Sequence, residues 1–132
     1  MPISYTVDEE ARVIYEKWVG DIYATDLASY WKDYLKDPIV LEIRRTLVDL
    51  REAKVCFKGE DFSQLIPSIV LPILGKRTWK TAILVNEPYQ YGVSMQYHVF
   101  ADIYSCDAVF YDREKALSWL LDTTCPQTSH SS

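Results

Sequence analysis

A chain of 132 residues is the size of one domain and can bury a core without disulfide or metal staples. Hydrophobic residues make up 48% and charged residues 25%, an ordinary globular balance, and no run approaches the ~20 apolar residues of a membrane span. The formal charge of −5, with basic residues only in separate pairs at Arg44-Arg45 and Lys76-Arg77, excludes nucleic acid as the expected partner, because phosphates need clustered positive charge.

In chain order, Ile3-Ser4-Tyr5-Thr6-Val7 alternates apolar and polar as a half-exposed strand does, and Val13 to Val19 resumes with β-branched and aromatic residues. Together they predict an N-terminal antiparallel hairpin, with Gly20-Asp21 closing it. A helix over residues 25–36 follows from Leu27, Ala28, Trp31, Tyr34 and Leu35 falling on one face. Thr25 or Asp26 can cap it, and Asp37-Pro38 ends it, since the residue before proline avoids helical geometry. A third strand is Thr46 to Leu50. A second helix spans 62–75, capped by Asp61 with Gln64 reciprocating, kinked or split by Pro72 and closed by Gly75.

The C-terminal third is the most informative. Ala82-Ile83-Leu84-Val85, within a strand over 81–86, reads as buried on both faces; a helix over 89–101 and a strand over 108–111 complete a βαβ unit. The last helix is capped by Asp112, with Ala116, Leu117, Leu120 and Leu121 facing inward. The fold expected is a single α/β domain over residues 1–122: a five-stranded mixed sheet, an N-terminal hairpin and about four packed helices. Residues 123–132 are expected to form a disordered polar tail.

Metal and cofactor sites are not supplied. Cys56, Cys106 and Cys125 are widely spaced thiols that suit a reducing cytoplasm, and no signal-peptide pattern precedes them. His98 and His130 are the only histidines, and four scattered glycines make no nucleotide loop.

The order and junctions of these elements resemble the STAS-like, or SpoIIAA-like, superfamily, nearest its poorly characterised STAS/SEC14-like bacterial branch. Asp37-Pro38, Leu47-Val48-Asp49-Leu50-Arg51-Glu52-Ala53, Ala82 to Val85 followed by Tyr91-Gly92, and Val109 to Asp112 leading into Ala116 to Leu120 carry the likeness. The resemblance implies a sheet with helices packed against it. In the best-known members, the anti-sigma-factor antagonists, it also implies a serine or threonine phosphorylated in an Asp-Ser motif. Here Gly59-Glu60-Asp61-Phe62-Ser63-Gln64 departs from that motif, so Ser63 is read as a solvent-facing first-turn residue rather than a phosphorylation site.

Asp49 and Arg51 stand at the carboxyl end of one expected parallel strand and Asn86 and Glu87 at that of the next, where open α/β sheets place ligands. With Tyr91 they form the candidate partner or ligand site; a local Asp49–Arg51 ion pair is the plainer alternative. No catalytic set assembles from local motifs, so the leading expectation is a non-enzymatic regulatory or protein-interaction domain, with a homodimer allowed. The alternative is a carrier of a small apolar or lipid-like ligand, in a pocket between the sheet and the second helix.

Overall fold

The alternation of Ile3, Tyr5 and Val7 with polar neighbours produces β1 (Ile3–Asp8), whose apolar set faces the core. It pairs antiparallel with β2 (Val13–Ile22), Ile3 lying opposite Trp18 and Asp8 opposite Val13, in a computed structural model that describes residues 2–75 and 77–122. The tail expected at 123–132, and His130 with it, lie outside the described residues.

The hairpin reverses at residues 9–12, where the Ala11 amide donates to Asp8 Oδ1 at 2.9 Å and Arg12 takes a left-handed φ of 59°. Gly20-Asp21 therefore does not close it. Gly20, at φ 76°, lies inside β2, just beyond a register shift between Lys17 and Val19 that bends the strand along its other neighbour.

α1 (Ala24–Tyr34) begins ahead of the expected caps: Asp26 sits inside the first turn, and its carboxylate accepts the Tyr23 amide at 2.9 Å. A short helix that the sequence did not announce follows, α2 (Pro38–Ile43), with Pro38 preset for its first turn and Asp37 Oδ1 accepting the Ile39 amide at 3.1 Å. Arg44, at φ 51°, ends it and turns the chain into β3 (Arg45–Val55), longer than the expected core strand.

The second helix is divided more finely than one proline kink would require. A 3₁₀ turn (Gly59–Asp61) leads into α3 (Phe62–Leu65), a π-helical turn (Ile66–Val70) and α4 (Leu71–Leu74). Asp61 accepts the Lys58 amide at 2.9 Å, so it serves the 3₁₀ turn instead of capping the helix that follows. Pro67 and Pro72 have no N–H to give, and the widened turn between them bonds the Leu71 amide back to Ile66 O. Gly75 closes the segment at φ 64°.

β4 (Trp79–Leu84), α5 (Pro88–Ala101), β5 (Ser105–Phe110) and α6 (Arg113–Leu121) complete the chain. β2, β3, β4 and β5 run parallel in the order β1-β2-β3-β4-β5. One face of the sheet, bearing Glu16, Val48, Leu50 and Ile83, is covered by α1, residues 59–74 and α5. The other, bearing Val13, Leu47, Ala82 and Leu84, meets Ala116 and Leu120 of α6. Leu121, expected inward, is 45% exposed, because the nine-residue helix turns it away from the sheet.

No described helix is long and apolar enough to cross a membrane. Cys56 is a free thiol, whereas Cys106 is disulfide-bonded. The expectation of reduced thiols holds for Cys56 and fails for Cys106. Disulfides are rare in reducing compartments, so the cysteines no longer argue for a cytoplasmic setting.

α6 is started by Asp112, whose Oδ1 accepts the Glu114 and Lys115 amides at 2.8 and 3.4 Å. Asp112→Ala is expected to cost about 1 kcal/mol in urea unfolding with an unchanged slope, the ordinary loss of an N-cap.

Candidate functional site

The parallel neighbours β3 and β4 bring Asp49 opposite Leu84, so the expected rim at their carboxyl ends exists. Its residues do not converge. Arg51 and Glu87 line one open groove with Glu52, Lys54, Tyr89 and Gln90, while Asp49 lines another on the α6 side of the sheet, with Tyr15, Lys17 and Arg113. Arg51 is held by Asp49 through Nε to Oδ1 at 3.1 Å and Nη2 to Oδ2 at 3.0 Å, which is the plain ion pair. Burial pushes the Asp49 carboxyl up, but the Arg51 hydrogen bonds outweigh it and leave the group below its ordinary value.

Asn86 and Glu87 offer backbone amides to Gln90 Oε1 at 2.9 and 3.2 Å, and both side chains are exposed. Tyr91 lies outside the groove and stacks on Tyr111, ring centres 6.3 Å apart. Ser63 is exposed, its hydroxyl donating to Glu60 O at 2.6 Å.

A different site lies inside. Between the sheet and its helical cover is a cavity of about 80 Å³, edged by Phe62 and Val70 of the 59–74 segment, Val93 and Ser94 of α5, Trp31 of α1 and Leu35 just past the end of α1. Its floor is the sheet, and from that floor rises Glu16, only 5% exposed. Glu16 Oε2 accepts Trp18 Nε1 at 2.7 Å and Oε1 accepts the Tyr30 hydroxyl at 2.8 Å. Burial pushes its carboxyl up to about 7, against the lowering effect of those two bonds.

Polar side chains at the cavity wall are paired. The Tyr34 hydroxyl lies 2.8 Å from Thr46 Oγ1, which also accepts Trp79 Nε1 at 3.0 Å, and the Tyr97 and Tyr104 hydroxyls bond each other at 2.8 Å. Burial raises all three phenols well above their ordinary range, so they stay neutral.

Sequence reasoning passed over Glu16 because it followed the β-branched and aromatic character of β2, not its parity. Ile14, Glu16 and Trp18 share one face of the strand, and both flanking members are core residues. An acid between two core positions at spacing two was the available signal.

A second buried acid also went unread. Asp107 accepts the Ser105 hydroxyl, and its other oxygen lies 3.4 Å from His98 Nδ1, without the alignment of a hydrogen bond. Burial lifts Asp107 to about 6. His98 therefore faces a carboxylate on β5. Among the described residues, no three His, Cys, Asp or Glu side chains gather as metal ligands.

No protein-family model and no curated protein sequence matches the chain. Among solved structures it is similar to an uncharacterized protein of the DUF3478 family with a SpoIIAA-like fold from Shewanella loihica PV-4. The two are 18% identical with a TM-score of 0.57, over 89% of this chain and 91% of that one. At that identity the likeness defines the architecture: a SpoIIAA-like α/β fold, as the order of elements in the sequence indicated.

Glu16 makes stability depend on pH. Its folded value near 7 lies above the ordinary 4.5, so between those values the unfolded chain has released a proton that the folded chain retains. Its contribution is therefore fully present at low pH and falls as pH rises through that window, by on the order of 3 kcal/mol. Urea unfolding of the native chain and Glu16→Gln across the window should show a difference that declines toward pH 7 and then levels. A flat difference would show that Glu16 ionises normally.

Proposed function

We propose that the chain is a small-ligand-binding domain whose site is the aromatic cavity between the sheet and the helices, and that it carries no reaction of its own. The observation that carries this reading is the cavity itself, with a buried carboxyl in a largely aromatic wall whose hydroxyls and indole N–H groups are mostly paired with one another. Binding sites combine apolar linings with a few placed polar groups in this way. The segment over the cavity supports it: residues 59–74 are broken into 3₁₀, α, π and α turns, which lack the continuous hydrogen bonding of one straight helix. At about 80 Å³ the space is roughly half that of an engineered cavity of about 150 Å³ that admits benzene, so it suits a compact group rather than a lipid chain.

The absence of chemistry is part of the proposal. Asp49 is occupied by Arg51, and His98 faces Asp107 rather than a nucleophile. A thermal-shift panel of small neutral, cationic and anionic compounds tests the reading. At least one class should raise the melting temperature of the native chain, and Val93→Phe, which fills the cavity from α5, should abolish the rise. A panel with no shift, or a shift unchanged by Val93→Phe, would remove the proposal.

The regulatory, protein-binding reading keeps one specific support. Tyr91, Met95 and Val99 recur along α5 and are 42%, 39% and 69% exposed, with Tyr111 stacked at one end of the row. Apolar residues aligned on an exposed helix face suit a protein partner, a second copy included. Sedimentation of the native chain and Val99→Asp compares the two: a dimer that the substitution dissociates favours the regulatory reading, and a monomer in both cases counts against the self-association version of it.

A further inference from the structure

We infer that the group the cavity takes is a small organic cation, an alkylammonium head whose charge meets Glu16 and whose methyl groups are enclosed by aromatic rings. This rests on the cavity being a binding site, and it adds the class of ligand.

The argument begins with charge. Glu16 is buried, and both its hydrogen-bond donors are neutral, an indole N–H and a phenol. No lysine or arginine among the described residues contributes to its environment. The ion pairs Arg12–Glu42, Lys17–Glu52 and Arg51–Asp49 all involve at least one partly exposed partner and none reaches the cavity. A carboxylate in such a place is uncompensated, and its neutralisation requires either a proton or a cation from outside.

The wall then selects between ligands. Trp18, Trp31, Tyr34, Trp79, Tyr97 and Tyr104 all line the cavity around that acid. Aromatic faces are electronegative, and together with a carboxylate they make an environment that attracts positive charge and repels negative charge. A neutral apolar group would satisfy the rings but not Glu16. An ammonium group carrying methyl or methylene substituents satisfies both, and the size of the cavity favours a compact head.

The groups facing Glu16 from each packed element are Tyr30 and Tyr34 of α1, Tyr97 of α5 and Tyr104 ahead of β5, all neutral phenols, with the indole of Trp18 on its own strand. None supplies a competing positive charge. Binding a cation therefore draws Glu16 into its ionised form. Below pH about 7 the free protein holds a proton that binding must expel, and above it there is none to expel. The affinity for a permanent cation should fall about tenfold per pH unit below that point and be level above it.

The experiment is calorimetric titration of the full chain with methylammonium, small enough for the cavity and charged throughout the range tested, and with methanol, its uncharged counterpart of the same size. Above neutrality methylammonium should bind at least about tenfold more tightly. The preference should shrink with acidification, and proton release should appear as a buffer-dependent heat below neutrality. Glu16→Gln should abolish the preference and the pH dependence while leaving the weak binding of methanol. If that variant does not fold, the pH profile and proton release of the native chain decide alone. Equal binding of the two compounds, or methylammonium binding without proton release at acidic pH, overturns the cation and leaves the cavity reading intact. Binding of neither overturns the cation too, and the neutral and anionic compounds of the thermal-shift panel then decide the cavity separately.

Discussion

A phenol taken out of water must find a partner, and α1 brings two to the sheet. Tyr30 reaches Glu16 on β2, and Tyr34 reaches Thr46 on β3, where the Trp79 indole of β4 is also bound. The two rings stack at 5.0 Å, and Tyr5 of β1 packs edge-on against Tyr34 while its own hydroxyl donates to Asp37. These directional contacts set how α1 lies across β1 to β4. Ordinary apolar packing alone would let the helix slide; paired hydroxyls do not. The aromatic cavity is what remains beneath a helix fixed in that position.

The two faces of the sheet are unequal for a related reason. The face carrying Glu16 is roofed by α1, the 59–74 segment and α5, and contains nearly all the large aromatic side chains of the core. The other is sealed by aliphatic contacts with α6, and beyond α6 it leaves Lys17 and Asp49 beside an open groove. Charged residues at the carboxyl end of β3 thus face solvent and pair with each other, while Glu16 on β2 is enclosed at the cavity and Asp107 on β5 is enclosed beside Ser105 and His98. An enclosed acid feels its neighbours more strongly than a solvated one, because low polarity amplifies every unbalanced charge.

Much of the architecture could be read from the chain. The unbroken apolar run at Ala82 to Val85 reads as a strand covered on both sides, and Ala82 to Leu84 form the buried end of β4 with buried Val85 just beyond it. Asp112 was legible as a cap because its side-chain chemistry is local. Features decided by neighbours distant in sequence were less visible. Asp61 looked like a helix cap until the 3₁₀ turn ahead of it claimed its carboxylate. α2 is only six residues long, too short for a periodic signal, and the extension of β3 to Val55 depends on its pairing with the far end of β2. Asp49 and Arg51 offered two readings, and their spacing of two on an extended strand favoured mutual contact. Glu16 was hidden among residues chosen for strand propensity, and only the identity of its face reveals where it goes.

The strand order also bears on how the molecule is made. Every strand hydrogen-bonds to its immediate predecessor in the chain, so no later segment has to be inserted between two that are already paired. A ribosome releasing this polypeptide from the amino terminus would deliver each β-α unit to a ready edge. Assembly can therefore keep pace with synthesis, and the growing intermediate presents a single advancing border to the cell rather than a gap awaiting a distant partner.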